Sequence, residues 1–463
     1  MKTRNYPTGH LSARSIFVFW VPLAATWLMM ATEGPFLAAI IARLPDPKFN
    51  LAAHGVALAF AILVEAPVIM MMSASTALVE DASSFRSLRN FTYALNLAVT
   101  CAMLVVLAPP VFRLIMHDLI GLPPEVARLT HRALLILLPW PAVIGYRRFF
   151  QGLLIRSGRT RLVAVGTVVR LTAMTSSGIV LYAVFALPGA YVGASALTAG
   201  VCCEAVASRL MARRTVRSLL ETPASADATH ALGYRRIVDF YYPLALTSLI
   251  GLAAQPMLTF FMGHAPSPVE SLAVFPVVYA LSFIFRAMGL SYQEVAIALL
   301  GKRHEHAKEL GRFALILGLS ASAGLALIGF TPLSHIWFES ISGLSGQLAA
   351  FAITPIRIMA PIPALSVLLS FQRSIIVQGR RTRPITFATS LEVAGIAIVF
   401  STLSRLTDIT GVTSAVIAFL VGRLAGNLFL IVPCLAVLRR SDGKVDMAAA
   451  PSTESLPAPT AAE

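Results

Sequence analysis

The sequence predicts an all-α polytopic membrane protein with twelve transmembrane helices in two six-helix lobes. Hydrophobic residues make up 57% of the 463 residues, and the mean hydropathy is +0.77. Charged residues make up only 13%, whereas a soluble domain carries about 25%. The segment 20–24 (WVPLA) returns in the second half of the chain as 241–245 (YYPLA). The apolar surplus therefore faces lipid, and the returning segment indicates two similar halves related as parallel repeats.

Long apolar runs separated by short polar loops define the predicted helices. Several runs exceed the roughly 20 residues that a bilayer requires, and tilt accommodates the excess. The twelve predicted spans are 16–43, 51–79, 91–117, 130–156, 161–187, 190–212, 237–262, 270–299, 312–338, 348–377, 384–405 and 411–438.

The loops between these spans alternate in charge. Loops on the side of the N-terminus carry many basic residues, whereas loops on the other side carry about five. Because basic loops stay in the cytoplasm, this alternation places both termini there, as an even number of helices also requires. The basic loops contain Arg86, Arg89, Arg156, Arg159, Arg161, Arg213, Arg214, Arg217, Arg235, Arg236, Lys302, Arg303, Lys308, Arg312, Arg380, Arg381 and Arg383.

The repeat divides the chain into two lobes. Pro35 and Pro256 match at the same offset, and Phe150-Gln151 matches Phe371-Gln372. Repeats with an even number of helices keep a parallel topology, so a two-fold axis along the membrane normal is expected between them. The predicted regions are a cytoplasmic N-terminus 1–15, a first lobe 16–212, a cytoplasmic linker 213–236, a second lobe 237–438 and a disordered cytoplasmic tail 439–463.

Two pairs of ionisable residues in apolar runs occupy equivalent positions in the lobes, with the sign of charge exchanged. Glu65 in the second helix corresponds to Arg286 in the eighth, and Arg170 in the fifth corresponds to Glu392 in the eleventh. Such groups are costly in a bilayer and usually face the bundle interior. In one interpretation Glu65 pairs with Arg170, and Arg286 with Glu392, as scaffold. In the other, Glu65 and Arg286 face each other across a central cavity as a gate or substrate contact.

Glu33 lies beside a predicted kink, because Gly34 and Pro35 follow it. The equivalent region of the other lobe carries Gln255 before Pro256, so only one lobe has a titratable group there. A carboxyl group with no basic residue in its own helical turn suits the coupling of protons or cations. The alternative is a neutral carboxyl group that binds the backbone freed by the kink.

Further arginines lie inside apolar runs. Arg147 and Arg148 lie roughly two turns inside the fourth helix, where snorkelling to the interface is the alternative to an interior role. Arg357 lies deeper in the tenth helix. If Arg286, Arg357 and one arginine of the fourth helix line one cavity, that cavity selects carboxylates or phosphates. The other intramembrane candidates are Glu204, Glu294 and Arg423.

No pattern in the sequence indicates catalysis. The chain has neither a GxxxxGK[ST] loop nor an HExxH pattern, and its histidines lie mostly in loops or at helix ends. The four cysteines lie in apolar runs without the spacing of a disulfide framework or a zinc site. We therefore expect no enzymatic activity, no metal, no cofactor and no nucleic-acid partner.

The two lobes and the pattern of the fourth helix resemble the MOP superfamily, which includes the MATE exporters and the lipid-linked oligosaccharide flippases. Within it, segments 239–246 (DFYYPLAL), 355–358 (PIRI) and 152–155 (GLLI), with Glu33, are similar to the progressive ankylosis (ANK) proteins. The superfamily resemblance implies a V-shaped pair of bundles, a cavity between the first, second, seventh and eighth helices, and alternating access. It also implies cation coupling at the helix-one acid. The ANK likeness implies outward movement of pyrophosphate, nucleotides or citrate.

Together these observations favour an ion-coupled secondary transporter that exports small organic or phosphorylated anions. A flippase for a pyrophosphate-linked lipid carrier and a MATE-type exporter of cationic drugs are the alternatives. The first alternative predicts a groove open to lipid, and the second predicts a net acidic cavity. The expected partners are an anionic substrate, H⁺ or Na⁺, and the bilayer, with the protein as a monomer. Arginine-rich, lysine-poor usage fits a bacterial inner membrane.

Overall fold

Twelve helices that are long and apolar enough to cross a membrane occur in the described part of the computed structural model, residues 11–221, 233–301, 304–379 and 383–449. All regular secondary structure of these residues is helical. The predicted fold class and the predicted number of helices are confirmed. The helices are α1 (Ala13–Ala42), α2 (Pro47–Glu65), α3 (Ala82–Leu107), α4 (Pro124–Arg156), α5 (Thr160–Val184), α6 (Gly189–Glu221), α7 (Tyr234–Gly263), α8 (Pro268–Leu299), α9 (Ala307–Phe330), α10 (Gly346–Gln378), α11 (Arg383–Leu406) and α12 (Gly411–Arg439).

Helical structure extends into two regions for which the sequence predicts none. Helix α6 continues to Glu221 and α7 begins at Tyr234, within the predicted linker. The backbone after α12 stays helical to Ala449, within the predicted disordered tail. Residues 1–10, 222–232 and 450–463 of the predicted terminal and linker regions lie outside the described residues.

Consecutive helices run antiparallel, because the connections between them are short. We call the side at which α1 begins the proximal side and the other the distal side. We call α1–α6 the N-lobe and α7–α12 the C-lobe. The additional short helices are Met71–Leu78, Pro109–Arg113, Leu333–His335 and the π-helical turns Leu114–Leu119 and Ile336–Ile341.

Local sequence determines where several helices begin. Helices α2, α4 and α8 begin at prolines, whose missing N–H would have been unpaired in the first turn. Helix α3 follows Asp81, whose carboxylate accepts a hydrogen bond from the backbone N–H of Ser84 at 2.8 Å. This bond, outside the membrane-spanning segments, lowers the pKa of Asp81.

The internal repeat extends to the backbone conformation of the loops. The first residues of α1 and α7 are separated by the same number of positions as their last residues. Each helix is followed by a residue in the left-handed conformation, Asp46 (φ 52°) after α1 and Ser267 (φ 53°) after α7. Gly121 and Gly343, which are also left-handed (φ 74° and 73°), are equivalent residues of the two halves, but the number of positions between them is larger by one. The larger separation holds for the equivalent residues that follow. The slip therefore precedes α4. The sequence match of Phe150-Gln151 with Phe371-Gln372 is consequently out of register by one.

Helices α1 and α7 are each broken at the same place in the repeat. Helix α1 breaks at Thr32 and α7 at Ala253. Pro35 and Pro256 follow these breaks, and a proline cannot donate the helical hydrogen bond to the preceding turn. The proximal and distal halves of each helix can therefore pack on different partners.

The proximal ends of α1 and α7 are exchanged between the lobes. Trp20 of α1 is buried in a hydrophobic cluster of the C-lobe with Tyr292 and Leu430. Tyr241 of α7 is buried in a hydrophobic cluster of the N-lobe with Phe149. The distal half of α1, Glu33–Ala42, packs on α2, α5 and α6 of its own lobe and on α8.

Hydrogen bonds from Tyr241 and Trp20 hold the exchanged ends. The phenol of Tyr241 donates to the carbonyl oxygen of Pro67. The indole N–H of Trp20 donates to Ser291 Oγ at 2.8 Å, and this hydroxyl donates to the carbonyl of Met288 at 2.8 Å. The two donors, Trp20 and Tyr241, are equivalent in the repeat, and so are the carbonyls of Pro67 and Met288. Each of these pairs is separated by the same number of positions as α1 and α7. The first residue of the returning WVPLA/YYPLA segment thus reaches an equivalent carbonyl in both lobes, directly from Tyr241 and through Ser291 from Trp20.

We predict that Tyr241→Phe destabilises the protein by about 1–3 kcal/mol, because it leaves the Pro67 carbonyl without its buried donor. Tyr242→Phe is the matched control, since its ring is exposed. Thermal unfolding in detergent, followed by tryptophan fluorescence, should show a lower Tm for Tyr241→Phe alone. Equal Tm values for the two variants would contradict the structural role of this bond.

Candidate functional site

A cavity of about 760 Å³ lies between the two lobes. Helices α1, α2, α7, α8, α10, α11 and α12 contribute most of its lining. Its volume lies within the range of about 300–1,000 Å³ that is typical of sites for small organic ligands. Most lining residues are apolar, and the few charged ones are therefore the features that determine what the cavity can bind.

The lobes meet on the distal side of this cavity. Arg43, at the end of α1, donates to the carbonyl oxygens of Ser340 and Ile341 at 2.7 and 2.9 Å. Helices α2 and α8 approach so closely that a Cβ atom at Gly55 would lie 2.5 Å from Pro276 Cγ. These contacts join the two lobes on the distal side of the cavity.

The charges of the N-lobe neutralise one another. Glu204 of α6 is fully buried; its carboxylate pairs with Arg147 and lies 3.4 Å from Arg170 Nε. Gln151 donates to the other oxygen of Glu204 at 3.0 Å. Arg170 also pairs with Glu33, which lines the cavity. Glu33 therefore reaches the cavity as a carboxylate already bound to a guanidinium group.

The charges of the C-lobe wall do not balance. Among the described lining residues this wall carries Arg286, Arg373 and Arg423 against one acid, Glu392. Glu392 pairs with Arg423 at 2.8 Å, and Arg373 donates to the hydroxyl of Thr389 at 3.2 Å. Among the described residues, Arg286 and Arg373 thus form no ion pair with a carboxylate, although Glu392 lies near Arg373.

Arg286 is held by aromatic rings instead of an acid. Its guanidinium carbon lies 4.8 Å from the ring centroid of Tyr279 and 4.9 Å from that of Phe419, with Phe283 at 5.8 Å. Its side chain is about nine-tenths buried, and within the described residues its Nε and Nη1 atoms have no hydrogen-bond partner. Buried donors of this kind are costly unless a ligand or water accepts from them.

The structure brings together only some of the residues predicted for the cavity. Glu33, Gln255 and Arg286 line it, as does Glu392. The other predicted cavity residues, Glu65, Arg147, Arg148 and Arg357, lie outside its lining.

Each residue outside the lining has other surroundings. Arg147 does not snorkel but pairs with Glu204, and Arg148 Nη1 lies 3.8 Å from Met72 Sδ. Arg357 donates to the carbonyl of Gly329 at 2.9 Å. Glu65 is buried near Arg148, and its Oε2 atom has no partner among the described residues.

The predicted ion pairs are wrong in their partners. Arg170 pairs with Glu33 and lies near Glu204 rather than pairing with Glu65. Glu392 pairs with Arg423 rather than with Arg286. The physical reason is that hydropathy gives the depth of a charge in the membrane, whereas pairing depends on which faces of neighbouring helices meet.

Sequence reasoning missed the roles of Glu204, Arg373 and Arg423. Glu204 and Arg423 are visible as lone charges in apolar runs, but neither has an opposite charge at its equivalent position in the repeat. Arg373 lies close to the basic proximal end of α10, where it resembles a loop residue. The sequence feature that could have identified Arg373 is the register of the repeat. In the longer offset that holds from α4 onward, Arg373 is the equivalent of the buried Gln151.

Neither a protein-family model nor a curated protein sequence matches this chain. Solved structures match it in fold. One is an inward-facing conformation of a multidrug resistance MATE family transporter of the MOP superfamily, with a TM-score of 0.71 and 14% identity, covering 92% of this chain and 96% of that one. Another is the lipid II flippase MurJ in an inward closed conformation, with a TM-score of 0.69 and 12% identity, covering 94% of each chain.

A third similar structure is a MOP superfamily transporter from Pyrococcus furiosus, described as having a binding pocket of reverse polarity that suggests a different function. Its TM-score is 0.61 at 14% identity, covering 93% of this chain and 96% of that one. Likeness at such low identity concerns the fold. The chain therefore has a MATE-like fold, as predicted, and the likeness to ANK proteins stays a prediction.

The balance of the N-lobe charges can be tested through stability. Glu204→Gln should destabilise the protein by about 3–5 kcal/mol, because it leaves two buried guanidinium groups with one carboxylate. Adding Arg147→Gln removes the excess charge. The double variant should therefore lose less stability than the sum of the losses in the two single variants. Glu125→Gln, in an exposed pair with Arg128, should change stability by less than about 1 kcal/mol. Additive losses in denaturant unfolding would contradict the pairing.

Proposed function

We propose that this protein is a secondary transporter that moves organic or phosphorylated anions through the central cavity by alternating access of its lobes. The observation that carries the proposal is the C-lobe wall, where three arginines face one acid. Guanidinium groups match carboxylates and phosphates with two parallel hydrogen bonds. An anion at Arg286 would accept from donors that otherwise lack a partner in the described residues.

The proposal places the protein in a bacterial inner membrane with its proximal side in the cytoplasm. The basic loops support this orientation, because they lie at the proximal ends of the helices. With the distal contacts of Arg43 and Gly55 in place, the cavity would be closed to the outside and ready to receive cargo from the cytoplasm. Export then requires these contacts to open and the proximal ends of the lobes to approach.

Glu33 is the proposed coupling group. It is the carboxylate of the N-lobe that lines the cavity, and its partner is Arg170. A proton taken up by Glu33 would release this guanidinium group from its acid, whereas a sodium ion would have to compete with it. The arrangement therefore favours protons over sodium as the coupling ion.

Two alternatives differ in cargo. A lipid-linked phosphate carrier would also suit an arginine-rich wall, and the likeness in fold to MurJ favours it as the second candidate. A cationic drug exporter requires a net acidic cavity, whereas the described lining carries more arginines than glutamates. The predicted ANK likeness agrees with an anionic cargo.

Uptake into proteoliposomes tests the proposal with a pair of probes of similar shape and opposite charge, benzylphosphonate and benzyltrimethylammonium. Labelled citrate, ATP and pyrophosphate extend the panel of anions. We expect saturable uptake of at least one anion and none of the cation. Arg286→Gln or Arg373→Gln should each lower anion uptake by about 10- to 100-fold, because each removes a charge-assisted hydrogen bond. An imposed pH gradient should change the rate, and Glu33→Gln should abolish that change.

Arg357→Gln is the matched control, because Arg357 lies on α10 with Arg373 but outside the cavity lining. Its uptake should equal that of the unmodified protein. Uptake of the cation, or anion uptake that survives both cavity substitutions, would refute the proposal.

A further inference from the structure

A second cavity, which we call the lateral groove, opens on the side of the N-lobe where α3, α4 and α6 meet. Its volume is about 370 Å³, and it shares no lining residue with the central cavity. Val206 at its edge is 60% exposed, and only Asn96 and Ala205 of its lining are buried. The groove is therefore accessible from the lipid around the protein. Its lining residues are Asn96, Ala142, Val143, Tyr146, Cys202, Ala205 and Val206.

The proximal end of the lateral groove lies at the depth of lipid headgroups. Arg209 follows Val206 by one helical turn toward the proximal end of α6. The helix axis rises by about 30 Å from Gly189, where α6 begins on the distal side, to Arg209. That distance equals the thickness of the hydrocarbon core of a bilayer. Arg209 therefore lies at the proximal boundary of the membrane.

Aromatic rings hold Arg209 beside the groove. Its guanidinium carbon lies 5.0 Å from the ring centroid of Phe150, and the group lies near the hydroxyl of Tyr146. Tyr146 lines the groove and stacks on Tyr93 of α3, with ring centroids 6.3 Å apart. Within the described ranges Arg209 forms no ion pair, and its Nη1 atom has no hydrogen-bond partner. A phosphate group here would meet a guanidinium group and phenols, which bind it by hydrogen bonds.

Asn96 adds a polar group about 5 Å, or one helical turn, deeper than Tyr93. It is nine-tenths buried, and its Oδ1 atom has no hydrogen-bond partner in the described part of the chain. A Cβ atom at Gly145 would lie 2.1 Å from this oxygen, so the oxygen end of the amide packs against α4. The NH₂ end is left for a ligand. A polar group at this depth is costly unless it is hydrogen-bonded.

The order of these groups matches that of a glycerophospholipid. In such a lipid the phosphate is followed by ester carbonyls and then by acyl chains. From the membrane boundary inward, the groove presents the guanidinium group of Arg209, the amide of Asn96, and the side chains of Ala142 and Cys202 on α4 and α6.

We propose that the lateral groove binds one phospholipid of net negative charge from the proximal leaflet. Its phosphodiester lies at Arg209, an ester carbonyl accepts from Asn96, and an acyl chain fills the remainder of the groove. An anionic headgroup is favoured over a choline headgroup, because α6 continues past Arg209 with the exposed residues Arg213 and Arg214, which repel an ammonium group. This lipid is a bound partner rather than cargo, because the groove is separate from the central cavity.

Native mass spectrometry of the delipidated protein, titrated with phosphatidylglycerol in detergent, tests the proposal. One molecule should bind more tightly than all others, and phosphatidylcholine with the same acyl chains should bind at least about fivefold more weakly. Arg209→Gln should lower the affinity for phosphatidylglycerol by about five- to tenfold, because it removes a charge-assisted hydrogen bond. Arg213→Gln is the matched control, since Arg213 is exposed one turn further along α6. It should change the affinity by less than about twofold.

Ala142→Phe separates the acyl-chain part of the groove from the headgroup part, because it fills the groove and keeps Arg209. It should weaken binding of phosphatidylglycerol, and an unchanged Tm in detergent without lipid would show that the variant is folded. Saturating phosphatidylglycerol should raise the Tm of the unmodified protein and of Arg213→Gln, but not that of Arg209→Gln. Equal losses of affinity in the two arginine variants, or equal affinities for both lipids, would overturn the proposal. Displacement of the lipid by soluble glycerophosphoglycerol would also overturn it.

Discussion

The pairing of Glu204 with Arg147, beside Arg170, is the interaction on which the electrostatics of the molecule depends. It is fully buried, and Arg170 extends it to Glu33 at the cavity. Charges in a membrane interior are tolerated when they are compensated locally. Because the N-lobe compensates its own charges, it adds little net charge to the cavity. The sign of the cavity is then set by the C-lobe, where arginines exceed acids.

The same helices that carry this charge pattern also connect the lobes. The exchange of the proximal ends of α1 and α7 means that neither lobe is a separate rigid body of six consecutive helices. Trp20 and Tyr241 anchor these ends to the opposite lobe. The breaks at Thr32 and Ala253 lie between the anchored ends and the distal halves that line the cavity. A rearrangement of the lobes would therefore bend α1 and α7 at these breaks, beside Glu33 and Gln255.

Much of the fold is predictable from the sequence, because the apolar runs show which segments cross the membrane and their recurrence shows the repeat. The twelve helices, their parallel halves and the matching of Glu65 with Arg286 follow from run lengths and a constant offset. The partners of the charges do not follow. The opposite charges of Arg170 and Glu65 and their similar depth in the membrane suggest that they pair. Arg170 instead contacts Glu33 and Glu204, because α1, α5 and α6 pack together. Arg373 is hard to recognise in the sequence because its place near a basic loop hides its exposure to the cavity.

The central claim is that the buried charges of the N-lobe compensate one another, so that the arginines of the C-lobe wall make the cavity positive. Anomalous diffraction from crystals grown with para-iodobenzylphosphonate, and separately with para-iodobenzyltrimethylammonium, tests it most directly. We expect phosphonate density against Arg286, with the iodine peak also inside the cavity, and no site for the ammonium compound there. An ammonium group seated at Glu33, with the phosphonate absent from the cavity, would contradict it.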